Sequence, residues 1–193
     1  SEPDSGSDLA SVRSKGEKVD GGWKLTGRKV WTSGAHRNHY AITMVRTTPL
    51  DANHRHQGLS QFLLDLKSPG VTILPIRNMA GDHHFNEVVL DGVFVPDSRI
   101  LGNPGDGWKQ VTSELAYERA GPERYMSTLS LYKSYTGSAA NKPDDRKAEV
   151  VGRYLAHYLT LRGMSTSIAG MLDAGQLPNT EAAIVKDLGA TLE

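Results

Sequence analysis

The chain has 193 residues, enough for one large domain or two small ones with buried cores, and its 22 Lys and Arg balance its 22 Asp and Glu. A net charge of zero supplies no field for nucleic acid or an anionic membrane, so a nucleotide would have to be held by local donors. The absence of cysteine removes disulfides, thiolate metal sites and cysteine nucleophiles, and fits a reducing compartment. No apolar stretch is long enough to span a bilayer, and the opening Ser1-Glu2-Pro3-Asp4 carries neither the basic nor the apolar region of a signal peptide.

From Ser1 to Asp8 the residues are small, acidic or turn-forming, a loop that can aim backbone N–H groups and the Ser5 and Ser7 hydroxyls at an anion. Leu9 to Ser14 alternates loosely. Val19 to Trp31 reads as a hairpin; Trp23, Leu25 and Val30 cannot share one face under strict period two, which predicts a bulge or twist near Gly27. Tyr40–Arg46 reads as a further strand, Thr47 to Gly58 as a polar loop, and Leu59 to Leu66, Val71 to Ile76 and His83 to Pro96 as more strands separated by turns. Short strands at this spacing predict a small antiparallel β-barrel or sandwich over residues 1–101.

After Pro96 the pattern changes. Leu101 to Gly107 is rich in glycine and proline but matches neither the dinucleotide fingerprint nor the P-loop, so it reads as a domain boundary. Trp108, Val111, Leu115, Pro122, Met126 and Leu129 recur at helical spacing, with Pro122 expected to kink or divide the helix. A polar linker from Thr136 to Asp145 precedes a long amphipathic helix carrying Val151, Leu155, Tyr158, Leu161, Ile168 and Leu172. Asp173-Ala174-Gly175 and Pro178 end it, and Thr180 with Glu181 opens another helix. The class is therefore α+β, with a partial helical-bundle segment over residues 102–193 whose apolar stripes suit a bundle shared with other chains.

Lys29-Val30-Trp31-Thr32-Ser33-Gly34 places an aromatic, two hydroxyls and a glycine at the end of a β-type run. An indole offers a stacking face and the hydroxyls offer hydrogen bonds, which suits a flat ligand with polar edges. Ordinary core followed by a turn is the competing reading of that stretch alone. Glu118 follows Val111 by seven residues and Leu115 by three, so it shares their stripe, although a Glu beside an Arg on a helix is usually a solvated pair. The pairs His54/His56 and His83/His84 lack a carboxylate or cysteine at ligand spacing, so no metal site is read from them. Thr32-Ser33-Gly34 lacks the first glycine of a nucleophile elbow.

SEPDSGSDLA, KVWTSGAH and LAYERAGPER, in that order, resemble the acyl-CoA dehydrogenase family of flavoenzymes along nearly the whole chain. The resemblance implies a β-domain that holds FAD against an acyl-CoA thioester, followed by helices that complete the site and build a dimeric or tetrameric homo- or hetero-oligomer. It places Ser1 and Ser7 against the flavin and its pyrophosphate, Trp31 against the ring and Ser33 near its reactive edge, with Thr32 between them contributing through its backbone. Ser7 would also stand at the mouth of the thioester channel. The resemblance makes Glu118 the base that takes the α-proton while a hydride leaves the β-carbon for flavin, with Arg119 shaping the pocket. Electrons would pass to an electron-transfer flavoprotein, in the cytoplasm or, in a eukaryote, the mitochondrial matrix, as part of fatty acid β-oxidation.

Compared with the family, the N-terminal helical domain and the later C-terminal part are missing, which implies a piece of a longer protein. The family's Arg-x-x-Phe-Gly stretch is also absent where this chain reads Ser138 to Arg146. That departure fits a subgroup with differing partner subunits, including heteromeric enzymes acting on bulky acyl thioesters. Two alternatives share the fold: a non-catalytic subunit that completes a partner's flavin site, and a flavin monooxygenase or oxidase.

Overall fold

Alternating apolar positions bounded by Gly, Pro, Asp and Ser become strands wherever one face can be buried. In the computed structural model, which describes residues 1–138 and 144–193, these are β1 (Lys15–Val19), β2 (Gly22–Ser33), β3 (Tyr40–Arg46), β4 (Leu59–Asp65), β5 (Val71–Arg77), β6 (His83–Pro96) and β7 (Ile100–Leu101). They form one sheet in the order β5-β6-β2-β1-β3-β4-β7. Every pairing is antiparallel except β1 with β3, which meet in parallel at Lys15 and Arg46, so the sheet is mixed where the sequence predicts an antiparallel one. Leu9 to Ser14, read as loose alternation, begins instead with a 3-10 turn over Leu9–Ser11.

The sheet curls over its own inner face, because strands that are not neighbours in it share one core. Leu25 of β2, Phe62 and Leu64 of β4, and Val93 and Val95 of β6 are buried together, and the Trp23 and Phe62 rings meet edge to face at 5.6 Å. The expected irregularity lies at Gly27, where the β2–β6 register shifts between Leu25 and Gly27. Gly27 has φ +153°, and a Cβ there would stand 2.1 Å from Ser14 Oγ, so this backbone approach requires glycine. A second shift, between Lys29 and Thr32, was not read from the sequence, and it surrounds Trp31.

Arg46 is buried at the end of β3, where its hydrogen-bond acceptors are backbone carbonyls. Its guanidinium donates to the carbonyls of Ala10, Val12, Arg55 and Gln57, tying the segment before β1 to the loop between β3 and β4.

Among the described residues five helices follow: α1 (Gly107–Arg119), α2 (Glu123–Met126), α3 (Leu129–Gly137), α4 (Asp145–Asp173) and α5 (Asn179–Leu192). Pro122 divides the segment, standing immediately before α2 with φ −63°. Asp144 caps α4 by accepting from the Lys147 N–H at 2.8 Å. Gly175, at φ +74°, ends that helix: its N–H reaches the Leu172 carbonyl while the Gln176 N–H reaches Met171. Ala116, Ala120, Leu161, Ile168, Ala182 and Val185 form the helical core. Burial on α4 is confined to its C-terminal half; along the predicted stripe Val151 and Tyr158 are half-buried and Leu155 is exposed. Among the described residues no helix is long and apolar enough to cross a membrane.

The chain divides into two compact units, Ser1–Gln110 and Val111–Glu193, with the Gly-Pro loop in the first. Of the Ser138 to Arg146 stretch, residues 139–143 lie outside the described residues.

Candidate functional site

The opening loop and the end of β2 lie side by side. Val30 N–H donates to the Ser1 carbonyl at 3.0 Å, and Lys29 Nζ meets Glu2 Oε1 at 2.6 Å. Glu2 also accepts from the backbone N–H groups of Arg13 and Ser14, and Lys29 donates to the Met44 carbonyl. One buried ion pair thus gathers the loop, the segment before β1, β2 and β3. Burial acts to raise the Glu2 carboxyl, but the charge and bond of Lys29, with the Ser14 and Arg13 donors, hold it below its ordinary 4.5. Burial also lowers the Lys29 ammonium, against the opposing pull of Glu2.

Within the loop, Glu2 and Ser5 exchange backbone hydrogen bonds and form a tight turn. The Ser5 hydroxyl, which the sequence reading aimed at an anion, donates instead to the Asp8 carbonyl and is buried. Ser1 and Ser7 are exposed.

Trp31 is the one non-glycine residue with positive φ among the described residues, at +61°. That conformation costs a bulky residue about 1–3 kcal/mol and persists only where its neighbours fix it. Here the residue before it donates to Ser1, and the carbonyl of the residue after it accepts from Asn86 Nδ2 at 3.0 Å. The bulge turns the indole out of the sheet, leaving Trp31 59% exposed with the Phe85 ring set edge-on at 6.0 Å. An open indole face is available, as a stacking role requires. Ser33, exposed, pairs with Phe85 across β6, and Thr32 pairs with Asn86.

Asn86 is fully buried, and its Oδ1 meets both His36 Nδ1 at 3.2 Å and His83 Nε2 at 2.7 Å. The two imidazoles stack at 3.9 Å. Desolvation lowers the His36 pKa, and His83 and Arg37 add to the effect against the bond from Asn86. Gly34 N–H donates to the His84 carbonyl, closing the strand end. Sequence reading missed Asn86, His36 and the Glu2–Lys29 pair as site-building residues. The local contact of Asn86 with His83 gives no sign of its role, since the partners it joins across the strand end, Thr32 and His36, lie 54 and 50 residues away.

Glu118 and Arg119 occupy the last turn of α1, in the second unit. Ala116 and Ala120 turn inward to the helical core, whereas Glu118 projects about 200° round the helix from Ala116 and is exposed. Arg119 is half-buried.

Residues 1–93 match the family model described as acyl-CoA dehydrogenase, middle domain. Over 152 residues the chain is 44% identical to acyl-CoA dehydrogenase FadE34 of Mycobacterium tuberculosis, covering 79% of this chain and 19% of that protein. It is 39% identical to acyl-CoA dehydrogenase IpdE1 of the same organism over 73% of this chain and 35% of the relative. With rice mitochondrial isovaleryl-CoA dehydrogenase the identity is 30%, over 84% of this chain and 39% of the relative. The chain thus belongs to the acyl-CoA dehydrogenase family, and it spans less than half the length of these relatives.

Among solved structures, the Tcur3481-Tcur3483 steroid ACAD matches all of this chain and 50% of its own, with TM-score 0.83 and 24% identity, a likeness of fold. The ChsE4-ChsE5 complex from Mycobacterium tuberculosis matches all of this chain and 51% of its own, with TM-score 0.77 and 25% identity.

Proposed function

We propose that this chain is the flavin- and thioester-binding part of an FAD-dependent acyl-CoA dehydrogenase that introduces an α,β double bond into an acyl-CoA. The observation that carries this reading is the Trp31 indole, held open at a strained φ directly beside the opening loop. An exposed ring face, the Thr32 and Ser33 hydroxyls and the exposed serines of an adjacent loop form a donor set that fits an isoalloxazine and its phosphates. FAD, when bound, accepts the hydride that leaves the substrate β-carbon.

The chain's own residues divide the remaining work. Trp31 supplies the stacking face and Ser33 a hydrogen bond at the ring edge, with Thr32 beside them. Ser1 and Ser7 hold the loop side, Ser7 also meeting the thioester. Glu118 takes the α-proton, which requires an unprotonated carboxylate, and Arg119 shapes the pocket around it. Electrons leave to an electron-transfer flavoprotein in an oligomeric assembly.

One structural neighbour is a steroid ACAD, which supports a bulky, ring-bearing acyl group as substrate. The test is the visible spectrum of the full-length protein before and after a panel of acyl-CoAs, from short branched chains to steroid-bearing thioesters. Flavin bands that bleach with a bulky thioester are expected, and Glu118→Gln should abolish turnover while keeping the flavin. A colourless protein would overturn the cofactor reading, and a Gln variant of unchanged rate would overturn the assignment of the base.

A second reading is favoured by two structural neighbours, the Tcur3481-Tcur3483 steroid ACAD and the ChsE4-ChsE5 complex: this chain completes a partner's flavin site without turning over alone. Bleaching that requires an added second subunit is the outcome that selects it.

A further inference from the structure

The side chain with the most unusual set of partners is Asn86, which lies under the bulge of β2. Its amide has two ends with different tasks. Only a donor can face the Thr32 carbonyl at 3.0 Å, so Nδ2 stands there and Oδ1 is turned to the two imidazoles. Both rings must then present N–H groups to one oxygen, His36 through Nδ1 and His83 through Nε2. Stacking at 3.9 Å fixes the two rings against each other, and their N–H groups hold the amide in the orientation that the Thr32 carbonyl requires. A flipped amide would set oxygen against oxygen at Thr32, beside a side chain with no access to water, and would require both rings to change tautomer.

The Thr32 carbonyl is the first anchor after Trp31, whose φ of +61° is costly. On the other side the anchor is the bond from Val30 to Ser1. Removing either lets the peptide relax to negative φ, which rotates the indole away from its exposed pose. We propose that Asn86 is a positioning residue for the Trp31 platform: its amide, oriented by the His36 and His83 rings, grips the Thr32 carbonyl and so sets the pose of the indole and of Ser33. As a statement about flavin affinity, this rests on the function proposed above. As a statement about Trp31, it stands on this geometry alone.

The test compares the full-chain protein with N86A, N86D, H83F and H83Q. N86D is isosteric but has no donor for Thr32. H83F keeps a stacking ring and loses the donor to Oδ1, whereas H83Q keeps a donor. Trp31 emission is isolated by subtracting the spectrum of the matching W31F protein, and FAD affinity is measured by titration. N86A, N86D and H83F should each shift the Trp31 emission and weaken FAD binding about tenfold, the worth of one lost buried hydrogen bond. H83Q should retain both properties. Lower melting temperatures with unchanged Trp31 emission and FAD affinity in N86D would overturn the proposal, as would identical behaviour of H83F and H83Q. If the wild type binds no FAD yet the emission pattern appears, the role of Asn86 stands and the flavin reading falls.

Discussion

At the scale of single residues, charge burial and backbone strain meet within a few ångströms at the end of β2. Lys29 and Glu2 are only 14% and 6% exposed at their side chains, so neither ion has water to replace the other. Lys29→Met is therefore expected to destabilise the protein by about 3–5 kcal/mol, measured by urea unfolding. It should also change the acid limb. Glu2 has a carboxyl pKa depressed by folding, so its stabilisation is complete above its ordinary 4.5 and is lost as pH falls from there through the lowered folded value. Without Lys29 the burial effect on Glu2 is opposed only by the Arg13 and Ser14 donors and its folded pKa rises, so the pH of acid unfolding, followed by circular dichroism, should move upward. An unchanged acid midpoint would show that Lys29 does not set the ionisation of Glu2.

At the scale of elements, β2 shows how local spacing and long-range pairing share the decision. The failure of Trp23, Leu25 and Val30 to keep one face announces an irregularity, and glycine marks its place because only glycine fits against Ser14. Gly27→Ala should cost about 1–3 kcal/mol from backbone conformation alone, and more from the contact with Ser14, as read by thermal melting. The second shift leaves no such mark, since tryptophan is among the last residues expected at positive φ. Tyr40–Arg46 and His83–Pro96 have the bounds their alternation predicts, because turn residues flank both. In α4 the same logic reaches only partway: period 3.6 marks a stripe, but Leu161 and Ile168 are buried while Leu155 is exposed. Periodicity identifies a face; contact with α5 and α1 determines how much of it is covered.

At the scale of the whole molecule, two hydrophobic clusters with no residue in common lie in the two units. Phe62→Ala removes a fully buried ring and should cost about 3–5 kcal/mol. Leu161→Ala should cost about 2–5 kcal/mol in the helical core. All three tryptophans, Trp23, Trp31 and Trp108, belong to the first unit, so denaturant curves followed by their fluorescence read the first substitution and far-ultraviolet helix signal reads the second. A Phe62→Ala protein whose fluorescence midpoint is unmoved would show that the β-core is not organised around that ring.

The sequence by itself determined the bounds of β3 and β6, the glycine bulge, the division at Pro122 and the resemblance carried by three short motifs. These depend on turn chemistry, periodicity and residue type within about a dozen neighbours. The order of the strands, the parallel meeting of β1 with β3, the pose of Trp31 and the network joining Asn86 to Thr32, His36 and His83 were decided only in the tertiary structure. Each of these links segments far apart in the chain, and a buried hydrogen bond or ion pair gains its strength from the fold that excludes water around it, which no stretch of sequence contains.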